Sequence, residues 1–492
     1  MSLRQKAIKG VFWSGVQNWG ASLIATLVLF VLARFLGEEE FGLLGIALVF
    51  ILLMELVLKQ GFGQALVQKQ ELEPEHVHTA FWTGMVLAVV MTVLGVATAG
   101  VVAAVYDEPA LAPVIRWLSL SFVIGALGHT QHALLRRELA FKSLAIRQLV
   151  AAIAGGVVGI GMALAECGVW SLVGQVLATG AVGSFVLWIA CDWRPQPKFS
   201  GRHLKELWSF GIFAMGVNFL AFLTRRFDML LIGLCLGTGP AGLYFIGFRL
   251  LSAMLQVFTH TVAAVALPTF SRIQHDPQQM RNAFYTATQM TGLIAFPAFV
   301  GLAALAPELV PVLFGKGWDA SVPVVRVLAL LGIIQALVHF TGPVILAKGK
   351  ASWRFGLGCL DALAQVTAVL FAVQWGIVAV AVACAVRIAL TYPVFLLGVH
   401  RLITLDFAAY AYRSVVPVVG SLLMAGAVLG AKWLLADLLA PPLLLATCIA
   451  VGVLVYSLVI FLFARPLANQ TLDLLLLAVM PGGPQPSEEE PA

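Results

Sequence analysis

Fourteen apolar stretches, each of about the 20 residues a helix needs to cross a bilayer, follow one another along this chain. They lie at 11–33, 42–66, 79–105, 113–133, 143–165, 169–190, 209–235, 241–267, 283–306, 323–347, 355–374, 376–398, 414–436 and 442–464. No segment between them reaches 20 residues, so none has room for a soluble domain. Inside lipid, every backbone N–H and C=O must find its partner within the protein, and a continuous apolar segment does so as a helix. Composition agrees: the chain is 61% hydrophobic and 11% charged, where a soluble domain carries about 25% charge. The expected fold class is an all-α polytopic membrane protein of about 14 transmembrane helices. A secreted disulfide scaffold, a disordered chain and a nucleic-acid binder are excluded on the same grounds. The net charge of +6 fits basic cytoplasmic loops.

Lys and Arg orient the helices. Of the 30, twenty fall on the side of the N-terminus, among them Arg136, Arg137, Lys142, Arg147, Arg194 and Arg354. Five fall on the opposite side: Arg34, Arg116, Lys316, Arg326 and Lys432. The other five, Lys59, Arg225, Arg226, Arg249 and Arg387, lie inside spans. This asymmetry puts both termini in the cytoplasm, which an even number of spans requires. The first apolar run is too long for a signal-peptide core and lacks a small-residue cleavage site, so it reads as a retained helix. The segment 466–492 ends in GGPQPSEEEPA and is expected to be disordered at least there.

An internal repeat divides the chain. At a shift of 200, Asn18, Leu36-Gly37 and Gly42-Leu43 align with Asn218, Leu236-Gly237 and Gly242-Leu243. At a shift of 210, Pro113-Val114-Ile115-Arg116 and His129 align with Pro323-Val324-Val325-Arg326 and His339. The expected units are a six-helix lobe at 1–191, a cytoplasmic linker at 192–208 and a second six-helix lobe at 209–400. Two extra helices at 401–465 stand outside the repeat. Six is even, so both lobes enter the membrane in the same direction and the repeat is parallel.

Each charge at mid-membrane costs about 2.5–3.5 kcal/mol and needs a partner or water. The seventh span carries Arg225, Arg226 and Asp228, and the eighth carries Arg249. Counting residues from their shared turn at ~1.5 Å each puts Asp228 and Arg249 level, so that Asp228 can neutralise only one of three arginines. The surplus points to an anion site, and guanidinium matches phosphate bidentately. Asp361 and Arg387 read as a neutral structural pair or a coupling pair. Glu55 and Lys59 share one face of the second span. Asn18, Gln17, Asn218, Gln256 and His260 are candidate cavity residues, and His129 and His339 are candidate helix bridges. Six cysteines show neither CxxC nor His spacing, and no P-loop, GxSxG or HExxH occurs. No enzyme, metal or cofactor is expected.

The chain resembles the polysaccharide transporters of the multidrug/oligosaccharidyl-lipid/polysaccharide (MOP) exporter superfamily. The resemblance spans nearly all of it. It is carried by ARFLGEEEFGLLG (33–45), RRELAFK (136–142), GVWSLV (168–173), WRPQPKFS (193–200), FDMLLIGLCLG (227–237), AGLYFIGFRL (241–250), LPTFSRIQ (267–274) and FGKGW (314–318), in that order. Glu55 and Lys59 belong to no pattern of that family. The resemblance implies two lobes around a central cavity opening alternately to each side. It implies a bacterial inner-membrane flippase or exporter for lipopolysaccharide or exopolysaccharide, with a polyprenyl-diphosphate-linked oligosaccharide as substrate. A proton or Na⁺ gradient would drive it, and a polysaccharide polymerase and glycosyltransferases would be its partners. The alternatives are a drug/cation antiporter of the same superfamily, which would want a cavity dominated by acids, and a membrane polysaccharide polymerase or ligase, which would want a large external loop.

Overall fold

The computed structural model describes residues 13, 15–58, 66 and 72–463, with their side chains except at 57, 205–215, 217 and 258–268. Among these residues there is no strand; the fold is a membrane-type helical array. Its helices are α1 (Val16–Phe35), α2 (Glu38–Leu58), α3 (Pro74–Val105), α4 (Leu111–Arg137), α5 (Phe141–Leu164), α6 (Val169–Ala190) and α7 (Gly201–Leu236). They continue with α8 (Thr238–Arg272), α9 (Pro277–Phe314), α10 (Lys316–Ala347), α11 (Ala351–Trp375), α12 (Ile377–Ile403), α13 (Phe407–Leu435) and α14 (Pro441–Phe463). Each expected span meets one helix. Among the described residues at least twelve are long and apolar enough to cross a membrane; α2 carries Glu55 and α7 the Arg225–Arg226–Asp228 cluster.

Helix ends follow local chemistry. The Asp276 carboxylate accepts the N–H groups of Gln278 and Gln279 at the start of α9, and Asp406 does the same for Ala408 and Ala409 at α13, each satisfying donors that a helix start leaves open. Gly237, Gly315 and Gly376 take φ of 88°, 101° and 93°, which lets the chain reverse where a side chain would be strained. Helix α7, at 36 residues, begins at Gly201. It therefore absorbs 201–208 of the expected linker, and only 191–200 is left as non-helical connection. The tail at 466–492, Lys59 and the side chain of His260 lie outside the described residues.

On the face opposite the N-terminus the two halves meet. Where α2 crosses α8, a methyl on Gly42 would lie 1.9 Å from the Thr238 carbonyl oxygen, and one on Gly242 would lie 1.8 Å from the Glu38 carbonyl oxygen. The pairs Gly42/Gly242 and Glu38/Thr238 are each separated by the repeat shift of 200, so the aligned glycines touch each other's helices. Around them, Arg34 donates to the carbonyls of Val312 (2.6 Å) and Leu313 (3.3 Å). Trp318 Nε1 donates to Ala33 O at 2.8 Å, and Tyr106 Oη to Leu230 O at 3.0 Å. Phe41, fully buried, meets the Trp318 ring edge-on at 5.3 Å. Helices α13 and α14 pack on α9 through Leu305, Met424, Val428, Leu444 and Cys448, with a Lys432–Glu308 ion pair and a Tyr456 Oη–Leu293 O bond of 2.6 Å.

Candidate functional site

The α7–α8 hairpin handles its charges differently from a simple pairing by depth. Asp228 is 4% exposed. Its carboxylate accepts the Tyr244 hydroxyl at 2.5 Å and the Met229 N–H at 2.8 Å. Among the described residues no ion pair joins Asp228 to Arg225, Arg226 or Arg249. The hydrogen-bond partners of Asp228 are thus Tyr244 and the backbone rather than an arginine, and azimuth supplies the reason. At ~100° per residue, Arg249 points about 140° away from Tyr244 on α8. Arg226 lies about 200° from Asp228 on α7. Asp228 and Tyr244 turn into the core, and the arginines turn away from it.

The guanidinium of Arg226 sits over the Phe248 ring at 4.9 Å, and that of Arg249 over Phe245 at 5.2 Å. Among the described residues neither donates a hydrogen bond to protein. Arg225 and Arg249 are exposed, and Arg226 is half-buried. Exposure at this depth means either lipid or water. A guanidinium in lipid carries the full transfer cost. Aromatic faces attract the cations but leave their N–H forks unused.

Arg354, placed by the charge count in a cytoplasmic loop, lies instead in the first turn of α11. It stacks over Phe395 at 5.9 Å. Further along, Asp361 of α11 is ion-paired to Arg387 of α12, and Thr391 Oγ1 donates to the same carboxylate oxygen at 3.3 Å. Gln365, 1% exposed, donates to Cys384 Sγ at 3.4 Å. The second half thus sets Arg225, Arg226, Arg249, Arg354 and Arg387 against Asp228 and Asp361. Both carboxylates are already engaged.

The first half contains a cavity of about 980 Å³ between α2, α3, α4, α5 and α6. Glu55, His129, His132, Arg136 and Arg147 supply its titratable lining. The charge count assigned Arg136 and Arg147 to the side of the N-terminus, with Arg147 near the start of the expected span 143–165. In the structure Arg147 is in the second turn of α5, where Nε donates to Gly183 O at 3.3 Å and Nη1 to Gln148 Oε1 at 3.1 Å. The clue lay in its position, well inside the apolar pattern that starts at Phe141. His129 lines the cavity, whereas its repeat mate His339 marks the break between the two helical parts of α10. Asn18 lies on the π-helical turn Val16–Gly20 and Asn218 on α7; both side chains are exposed.

Residues 31–323 match the family described as polysaccharide biosynthesis protein. The chain is 29% identical to the succinoglycan biosynthesis transport protein ExoT of Rhizobium meliloti, over 95% of each chain. It is 27% identical to the lipopolysaccharide biosynthesis protein WzxC of Escherichia coli, over 72% of this chain and 73% of that one. Among solved structures, the lipid II flippase MurJ in an inward closed conformation superposes with a TM-score of 0.77. That alignment covers 93% of this chain and 99% of MurJ at 13% identity, so it speaks for the fold. The chain belongs to the polysaccharide biosynthesis protein family.

Proposed function

We propose that this protein moves a polyprenyl-diphosphate-linked oligosaccharide across the bacterial cytoplasmic membrane by alternating access, as a carrier and not an enzyme. One observation carries the reading: half-buried Arg226 and exposed Arg249 lie on spanning helices with aromatic rings beneath their guanidiniums and, among the described residues, no carboxylate or carbonyl accepting their protons. A diphosphate supplies the charge and the acceptor oxygens that these forks lack. In this reading Arg226 and Arg249 grip the diphosphate, Arg225 and Arg354 enlarge the positive field, Asp228 orients Tyr244, and Asn218 and Asn18 meet the sugar. The lobes 1–191 and 209–400 rock on the connection at 192–208, with 401–465 riding on the second lobe. Both termini are cytoplasmic, a proton or Na⁺ gradient biases the cycle, and a polysaccharide polymerase receives the product.

The drug/cation antiporter reading is weaker. A cation site needs open carboxylates, and Asp228 and Asp361 are occupied by Tyr244 and Arg387. The test is a proteoliposome assay with a fluorescent polyprenyl-diphosphate oligosaccharide and a membrane-impermeant quencher, with and without pH and Na⁺ gradients. Protein-dependent loss of protected fluorescence is expected. Transport of a cationic dye with no movement of the diphosphate lipid would overturn the proposal.

A further inference from the structure

At the N-terminal face, far from the arginines, the two halves are strapped together by the short connection. Trp82 Nε1 of α3 donates to Gln196 O at 2.7 Å, the Gln196 N–H donates to His78 Nδ1 at 3.1 Å, and the Ser200 N–H donates to Thr79 Oγ1 at 3.1 Å. The Trp193 ring packs against His78 at 5.3 Å and Phe81 at 5.8 Å. This strap delivers the first turn of α7 to the first turn of α3, and three side chains converge there.

Glu73 caps α3 ahead of Pro74. Its carboxylate accepts the His76 N–H, and its own N–H donates to His76 Nδ1 at 3.2 Å. His203 of α7 brings Nε2 to 3.3 Å from Glu73 Oε2. The His76 and His203 rings lie 3.9 Å apart. Both histidines are buried, at 2% and 9% exposure, while the Glu73 carboxylate remains open to solvent. One donor atom from each residue lies within 4.8 Å of the other two. His203 Nδ1 is buried and, among the described residues, lacks a hydrogen-bond partner. With Nε2–H turned to the carboxylate, that nitrogen holds a lone pair with nothing to accept.

We propose that Glu73, His76 and His203 form a divalent transition-metal site of zinc chemistry that bolts α3 to α7 across the connection. Two imidazoles and one carboxylate are a donor set that suits Zn²⁺, with a water completing four-coordination. Small side-chain rotations bring the donors to the ~2.0–2.2 Å bond lengths zinc requires. The capping bonds at Glu73 and the strap at 193–200 hold the backbones in place, so little ordering remains to oppose binding. The exposed carboxylate gives the ion its way in. Bound metal would resist separation of the two helices and so hold the connection against α3.

The test uses the tag-free full chain in detergent, with Zn²⁺ competed against a chromophoric chelator. One Zn²⁺ per chain is expected, with affinity falling ten- to a hundredfold in Glu73→Gln, His76→Ala and His203→Ala. Zn²⁺ should raise the thermal midpoint of the wild-type chain and leave that of His203→Ala unmoved. His203→Gln keeps the bulk and a hydrogen bond to Glu73, and it serves where the alanine variant does not fold. Stoichiometric binding that survives all these substitutions, or no competition with the chelator by the wild-type chain, would overturn the site.

Discussion

Arg387 and Arg249 occupy the same half of the molecule and meet the membrane in opposite ways. Arg387 is ion-paired to Asp361, whose carboxylate also takes the Thr391 hydroxyl, and its side chain is 9% exposed. Arg249 is exposed, rests on Phe245 and has no carboxylate against it. The first arrangement neutralises its charge within the protein, with Arg387 Nε alone left unpartnered among the described residues. The second tolerates its charge only beside water or an anion. Residue type alone does not separate a structural cation from a binding cation; what separates them here is whether a carboxylate faces the charge.

The largest effect expected from breaking this contrast is at the closed pair. Removing one partner of a buried pair costs about 3–5 kcal/mol, so Arg387→Ala should lower the thermal midpoint in detergent by many degrees. Asp361→Ala combined with it should recover much of the loss. An unchanged midpoint in the single variant would show that the pair does not hold the helices.

Next come the open arginines. Hydrogen bonds to charged groups contribute about 1.5–3 kcal/mol each, and ~1.4 kcal/mol is a factor of ten. Arg226→Ala and Arg249→Ala should each cut flipping roughly ten- to a hundredfold, with thermal midpoints close to wild type. Normal flipping by the double variant at wild-type protein levels would remove the contrast. The smallest change sharpens it: Arg249→Lys keeps charge but loses the bidentate fork, and should flip several-fold slower than wild type yet faster than Arg249→Ala. Equal rates for Lys and Ala would place the requirement in guanidinium geometry alone.

The helices were legible because bilayer thickness imposes one length on every span, and the pattern 11–33 through 442–464 registers that length directly. The contact of Gly42 with the segment around Gly242 was foreshadowed by their alignment. The partner of Asp228 was not. Counting residues from a turn yields depth, and depth cannot say which way a side chain points around its helix. Tyr244 won by azimuth. Arg354 was misplaced because a charge just ahead of an expected span counts as loop until the helix is known to start before it. The cluster of Glu73, His76 and His203 was invisible because its members lie on either side of four spans, and only the strap at 193–200 unites them.

The crossing of α2 and α8 has a consequence for how the chain is built. Gly42 rests on the backbone at Thr238 and Gly242 rests on the backbone at Glu38, so one sequence pattern supplies both sides of the contact. This is an isologous joint, the self-complementary kind by which identical subunits form twofold dimers. Here it is folded into a single polypeptide. Each half brings a complete copy of the joining surface, and a displacement that lifts one glycine off its carbonyl acts on the other through the same pair of helices.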